Sequence, residues 1–159
     1  TVCKGMVTGF RTYMTGEIFA LLSTRSTLAE AVQGVHNILD ENTVQHFRRG
    51  VQDSTKSNLL HSLFMVRTRF LLQHYPASLN HSYLSGLLIG SEVSDLINPN
   101  VQGITLVSSN MSKHYEIALR TLQVPVPLII MQDEEVTVRG QLAIVSRHPE
   151  TRSLMKKTF

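Results

Sequence analysis

Between Leu79 and Leu96 an apolar, helix-compatible stretch carries a small residue at every fourth position: Ser82, Gly86, Gly90 and Ser94. Residues four apart share one face of an α-helix, so these four form a ridge without bulky side chains. Each interior glycine costs roughly 1 kcal/mol relative to alanine. Something must offset that cost, either a second helix whose backbone packs closely onto the bare ridge or a ligand lying against it. A chain built around such a helix is held to a helix-rich core. With 159 residues, 42% hydrophobic and 17% charged, it is long enough to bury one, as a single domain or as part of a larger one.

The flanking sequence agrees. From Glu17 to about Ile97, apolar residues recur at helical spacing. Ile18, Leu21 and Leu22 mark one face, Leu28, Val32, Val35 and Leu39 a second, and Val44, Phe47 and Val51 a third. A fourth helix, about Ser57 to His74, carries Leu60, Leu63, Phe64, Phe70 and Leu71. Tyr75-Pro76 ends it, because the residue before proline avoids helical dihedrals. The bare-ridged helix is the fifth. Asp40, Ser57 and Asn80 stand near helix starts and Gly50 near an end. Thr15 is placed as the first helix's N-cap, with Glu17 beside its positive end.

Both ends of this region turn to strand. Residues 2–14 read as a hairpin turning at Lys4-Gly5. Its first arm is a stump, which predicts a truncated sheet. Later, Ile104–Val107 is a short buried strand, Asn110 or Ser112 begins a helix through Tyr115 and Leu122, and Val126 to Met131 is a second strand. Asp133 opens a final helix, with Pro149 beyond it. Strand, helix, strand, helix with short connections predicts a parallel pair. The reading is one α/β lobe over residues 1–150, with the hairpin at 2–14, helices over 17–97, a βαβα unit over 104–148, and a polar tail at 151–159. The strands near 6–14, 104–107 and 126–131 are expected to share one sheet.

Several function classes are excluded. The single cysteine, Cys3, permits no intramolecular disulfide and no four-cysteine zinc site, and favours a reducing, cytoplasmic setting. The net charge of +3 is mild and scattered, so no nucleic-acid partner is expected. The apolar run Leu84–Gly90 is too short to span a bilayer, and no signal peptide is recognisable, so no membrane partner is expected. The seven histidines form no HExxH or Cys/His pattern, and His74 and His81 straddle Pro76, so no metal site is expected. GxSxG, P-loop and GxGxxG motifs are absent.

Two features invite chemistry. Arg67 interrupts an apolar stripe, four residues from both Leu63 and Leu71, and needs an anion there. A structural ion pair with Glu17 or Glu92 competes with a ligand carboxylate. Arg69 points away and is expected to be solvated. Ser108, Ser109 and Asn110 stand where a strand hands over to a helix N-terminus, a place for an ordinary cap or for a nucleotide.

With these residues laid out, the chain resembles the carboxy-terminal half of the 2-dehydro-3-deoxygalactonokinases (2-keto-3-deoxygalactonate kinases). The matching stretches are Phe10-Arg11-Thr12-Tyr13-Met14-Thr15-Gly16-Glu17-Ile18, Phe47-Arg48-Arg49-Gly50-Val51, Leu59 through Arg67, Tyr83 through Glu92, and Ile104–Val107, in that order. The resemblance implies the carboxy-terminal lobe of an actin-like, ribonuclease-H-like ATPase fold. It also implies phosphoryl transfer from ATP with Mg²⁺ to a sugar acid. In that picture Thr15, Gly16, Glu17 and Arg67 meet the sugar acid, and Ser108, Ser109 and Asn110 lie near the nucleotide.

The sequence also departs from the family. The amino-terminal lobe with its Asp-Trp-Gly phosphate loop, and the Pro-Gly-Thr-His segment expected before the hairpin, have no counterpart here. The resemblance therefore implies a missing amino-terminal lobe as partner and a chain inactive alone, its catalytic base unassigned. A possible homo-oligomer is left open. A binding or regulatory module derived from such a kinase is the alternative, and a helical interaction protein with a small α/β cap stands third.

Overall fold

In the computed structural model, which describes residues 1–34, 40–97, 100–108 and 111–147, the bare ridge is met by backbone. Helix α4 (Ala77–Leu96) crosses α2 (Glu41–Ser54) through it. A Cβ added to Gly86 would lie 2.1 Å from the Phe47 carbonyl oxygen, and one on Gly90 would lie 2.5 Å from Ser54 Oγ and 2.8 Å from Val51 Cα. The partner helix is bare at the same place, since a Cβ on Gly50 would sit 2.2 Å from the Tyr83 carbonyl oxygen. Gly50 therefore does not end its helix, as the sequence suggested. It lies inside α2, where the absence of a side chain permits the crossing. Phe47, Val51, Leu84 and Leu87 close over this contact and are fully buried.

The other helices of the first unit complete the core. α1 (Thr15–Arg25) and α3 (Leu59–Gln73) also pack on α4, as does a short 3₁₀ turn at Glu30–Val32. Leu28, Val32, Val66 and Leu88 are buried among them, with Phe19, Leu22 and Phe70 packed alongside. The segment read as a second helix forms only that turn within the described residues; Val35 and Leu39 lie outside them. Asp40 caps α2 as expected, accepting from the Thr43 amide at 2.7 Å. Asn58, not Ser57, caps α3, accepting from the Leu60 amide at 2.9 Å. His74 ends α3 in the left-handed region, and Pro76 then opens α4. Asn80 stands near a helix start as expected, in the first turn and a half of α4, where it is buried and donates to the Val66 carbonyl at 3.3 Å. Thr15 is not an N-cap: Met14 holds that position without a side-chain cap, and Thr15 is the first helical residue.

The strands are shorter and more separate than the sequence suggested. β1 (Val2–Cys3) and β2 (Met6–Val7) pair antiparallel around Lys4-Gly5, both at positive φ, as a two-residue hairpin turn demands. The second arm ends at Val7, not Met14. β3 (Ile104–Val107) and β4 (Leu128–Met131) pair parallel in the register Ile104 to Leu128, with α5 (Ser112–Thr121) between them and α6 (Asp133–Arg147) after. The parallel pair is as expected. The common sheet is not, because the hairpin and the parallel pair form two separate two-stranded sheets. Arms of two residues make too few ladder bonds to recruit a further strand. The chain is thus helix-rich α/β. It divides into two compact units, Thr1–Asn98 with Ile117–Val124, and Pro99–Glu116 with Pro125–Phe159. Among the described residues no helix is long and apolar enough to cross a membrane.

Candidate functional site

Alternate residues of the segment entering α1 reach one face of α4. Arg11 Nη1 donates to the Asp95 carboxylate at 2.9 Å and to its carbonyl at 3.2 Å. The Tyr13 hydroxyl donates to the same carboxylate at 2.5 Å. Thr15 Oγ1 donates to Glu92 Oε2, also at 2.5 Å. Glu92 and Asp95 are three apart on α4 and so share a face. The Tyr13 hydroxyl, and the Arg11 guanidinium after it, hold the Asp95 carboxyl below the usual carboxylate range. The later residues of the strand expected over 6–14 therefore meet helical carboxylates in place of a neighbouring strand.

This places the first turn of α1. Thr15 is half-buried, whereas Gly16 and Glu17 are exposed. A Cβ on Gly16 would meet nothing within 4 Å, so the backbone there is open to an approaching group. Without a side-chain cap from Met14, the first-turn amides remain available as donors.

Arg67 is not brought to that turn. Its guanidinium donates to the Thr27 carbonyl, just past the carboxy-terminal end of α1. At 1.5 Å per residue the two ends of α1 are about 15 Å apart, roughly twice the length of a six-carbon sugar acid. Ser108 lies half-buried directly after β3. Ser109 and Asn110 lie outside the described residues.

The sequence reading misses the polar cluster on the other side of α3. Arg69, expected in solvent, has a side chain only 16% exposed. Its guanidinium lies 3.8 Å from the Tyr83 ring centre, 5.7 Å from that of Tyr75, and 3.9 Å from Asp53 Oδ2. Asp53 also accepts from Arg49 at 3.0 Å and from the Tyr83 hydroxyl at 3.1 Å, with Lys56 at 3.5 Å. Burial first of all pushes the Tyr83 hydroxyl up to about 12. His46 bonds the Tyr75 hydroxyl at 3.0 Å. The cluster ties α2, α3 and α4 together. Only its Arg49–Asp53 and Asp53–Lys56 pairs are local in sequence; Arg69, Tyr75 and Tyr83 reach Asp53 and His46 from α3, from the loop after it and from α4, and no local pattern foretells that.

The histidines are dispersed. His81 packs edge-on against Phe19, His74 forms the left-handed end of α3, and burial lowers the pKa of the half-buried His114. His36 and His148 lie outside the described residues. Among the described residues no three His, Cys, Asp or Glu side chains are grouped to hold a metal ion.

Comparison with known proteins defines the class. The chain matches the 2-keto-3-deoxy-galactonokinase family over residues 1–144. It is 30% identical over 120 residues to the 2-dehydro-3-deoxygalactonokinase of Escherichia coli (strain K12), covering 73% of this chain and 39% of that protein. Identity is also 30% over 146 residues to the Rhizobium meliloti (strain 1021) protein named "Probable 2-dehydro-3-deoxygalactonokinase DgoK1", covering 89% of this chain and 46% of that one. A crystal structure from Sinorhizobium meliloti, of a protein assigned as a 2-dehydro-3-deoxygalactonokinase, superposes with a TM-score of 0.71 at 26% identity. It too is covered to 46% of its length, by 89% of this chain. The chain thus spans less than half the length of these relatives. Its helix-rich α/β architecture is that of a kinase-related protein. It belongs to the 2-keto-3-deoxygalactonokinase family.

Proposed function

We propose that the chain forms part of a kinase that transfers the γ-phosphoryl group of ATP to a hydroxyl of 2-keto-3-deoxygalactonate, within an actin-like, ribonuclease-H-like fold. The observation that carries this reading is the family match over residues 1–144, and the likeness to the Sinorhizobium meliloti structure supports it. In this reading the α1 first turn, Thr15, Gly16 and Glu17, meets the sugar acid. ATP with Mg²⁺, when bound, supplies the phosphoryl group and the cationic charge that its transfer requires. Ser108 suits the nucleotide side, because it is half-buried at the carboxy-terminal end of a parallel strand, where open α/β sheets take ligands. Ser109 and Asn110, which lie outside the described residues, are assigned to the nucleotide side with it on the family resemblance alone. Arg67 joins the sugar-acid contacts only if its guanidinium leaves the Thr27 carbonyl.

Gripping the phosphates falls to an amino-terminal lobe, the partner this reading requires. The 159-residue chain is therefore expected to bind sugar acid without turning it over. The exposed, free Cys3 suits a reducing, cytoplasmic setting. Calorimetry with 2-keto-3-deoxygalactonate and an assay of ADP release test the two parts separately. The expected result is heat of binding and no ADP. Absence of binding refutes the substrate assignment, and ADP release by the pure chain refutes the expected inactivity.

A further inference from the structure

Resting on that substrate reading, we propose that Glu92 sets the hydrogen-bonding polarity of Thr15, so that Thr15 contacts a hydroxyl of the sugar acid and not its carboxylate. A threonine hydroxyl has one proton and two lone pairs, and an ionised carboxylate can only accept. Thr15 Oγ1 spends its proton on Glu92 Oε2 at 2.5 Å. What Oγ1 can still offer a ligand is a lone pair. A ligand carboxylate or ketone would bring acceptor against acceptor, whereas a hydroxyl would donate. The adjacent open backbone at Gly16 and the uncapped first-turn amides supply the complementary donors. Donors and an acceptor side by side fit a hydroxyl, which both gives and takes a hydrogen bond.

The arrangement is held from α4. Asp95, one turn from Glu92, takes the Tyr13 hydroxyl and the Arg11 guanidinium, and so fixes the segment that carries Thr15. Glu92 acts through Thr15 and is a specificity-determining positioning residue.

The test measures dissociation constants of the chain for 2-keto-3-deoxygalactonate and for analogues with each hydroxyl replaced in turn by fluorine, which keeps an acceptor but loses the donor. Thr15→Val is expected to weaken binding about tenfold, Thr15→Ser to leave it near normal, and one fluorinated analogue to lose a similar factor against the unmodified chain. Against Thr15→Val that analogue should show no further loss. Glu92→Ala frees the Thr15 proton and should shrink the fluorine penalty. If that variant fails to fold, Glu92→Gln serves, because its amide can donate to Oγ1 and compete with the ligand hydroxyl. Melting temperatures confirm that each variant is folded. Unchanged affinity in Thr15→Val, equal affinity for every fluorinated analogue, or an undiminished penalty in the Glu92 variants overturns the proposal. Failure of the unmodified chain to bind the sugar acid overturns the substrate reading and this proposal with it, and is distinguishable because the other outcomes require binding.

Discussion

Replacing Gly86 by alanine adds one methyl group to a helix interior, a change that ordinarily stabilises by up to about 1 kcal/mol. Here the new Cβ would stand 2.1 Å from the Phe47 carbonyl oxygen, 2.9 Å from its carbon and 3.1 Å from the Val51 nitrogen. Ordinary contact begins near 3.4 Å, and all three neighbours are backbone atoms that no rotamer change can remove. α2 and α4 must therefore separate by about 1 Å in a close-packed interior. That loosens Phe47, Val51 and Leu87, which are only 1%, 0% and 0% exposed. Overpacking costs about 1–3 kcal/mol, and here the upper part of that range is expected because no side chain can yield. Set against the propensity gain, the net loss is about 2 kcal/mol. It corresponds to a fall in melting temperature of roughly 4–8 °C. Urea unfolding followed by circular dichroism measures it as a lower midpoint at unchanged slope. Gly140→Ala is the contrast, since its Cβ would meet nothing within 4 Å on an exposed face of α6. It should stabilise that helix by about 0.5–1 kcal/mol, read as slower amide exchange in α6. A midpoint for Gly86→Ala at or above that of the unmodified chain refutes the close-crossing argument.

Arg69→Met removes the cation from over the Tyr83 ring and from beside Asp53, and should cost about 1–2 kcal/mol in urea unfolding; no loss would show the cluster to be dispensable. The Tyr83 hydroxyl, raised from 10.0 to about 12, stabilises the fold fully below pH 10, and this contribution is lost as pH rises from 10 through 12. Tyr83→Phe should flatten that part of the stability curve. The Asp40 carboxyl is lowered first by the Thr43 amide and then by the Thr43 hydroxyl, so its contribution is present above the ordinary carboxylate range and lost as pH falls through the depressed value; Asp40→Asn should reduce this acid sensitivity. Arg67→Lys separates bracing from ligand grip: bracing of the Thr27 turn predicts a lower melting temperature with sugar-acid affinity unchanged, and ligand grip predicts the reverse.

α2 and α4 were legible because each carries its own local pattern, whereas the stripe read on α3 is not its buried face, since Leu60, Phe64 and Leu71 are 75%, 62% and 50% exposed. Val44, Phe47 and Val51 mark α2, the small-residue ridge marks α4, and Asp40 and Pro76 punctuate them without reference to anything distant. The parallel strand pair was legible for a related reason, since a short connection through one helix leaves few topologies. Gly50 was misread because a glycine near a helix end and a glycine at a helix crossing look alike along the chain. Thr15 was misread in the same way, since a threonine before an acidic residue suits an N-cap as well as a first helical position.

The sequence by itself determined that α4 has a bare face, that its glycines require compensation, and which family the chain resembles. Tertiary structure decided what meets that face, which was the backbone of α2. It also decided which arginine of α3 is enclosed. Arg67 and Arg69 are two residues apart with the same chemistry, and only the arrival of Tyr83 and Asp53 from other helices distinguishes the enclosed one. The polarity of Thr15 was settled in the same way, by a carboxylate 77 positions along the chain. Periodicity is a local property, set by bond geometry over a turn or two. A hydrogen-bond partner is chosen by proximity in space, and proximity between distant residues exists only once the helices have packed.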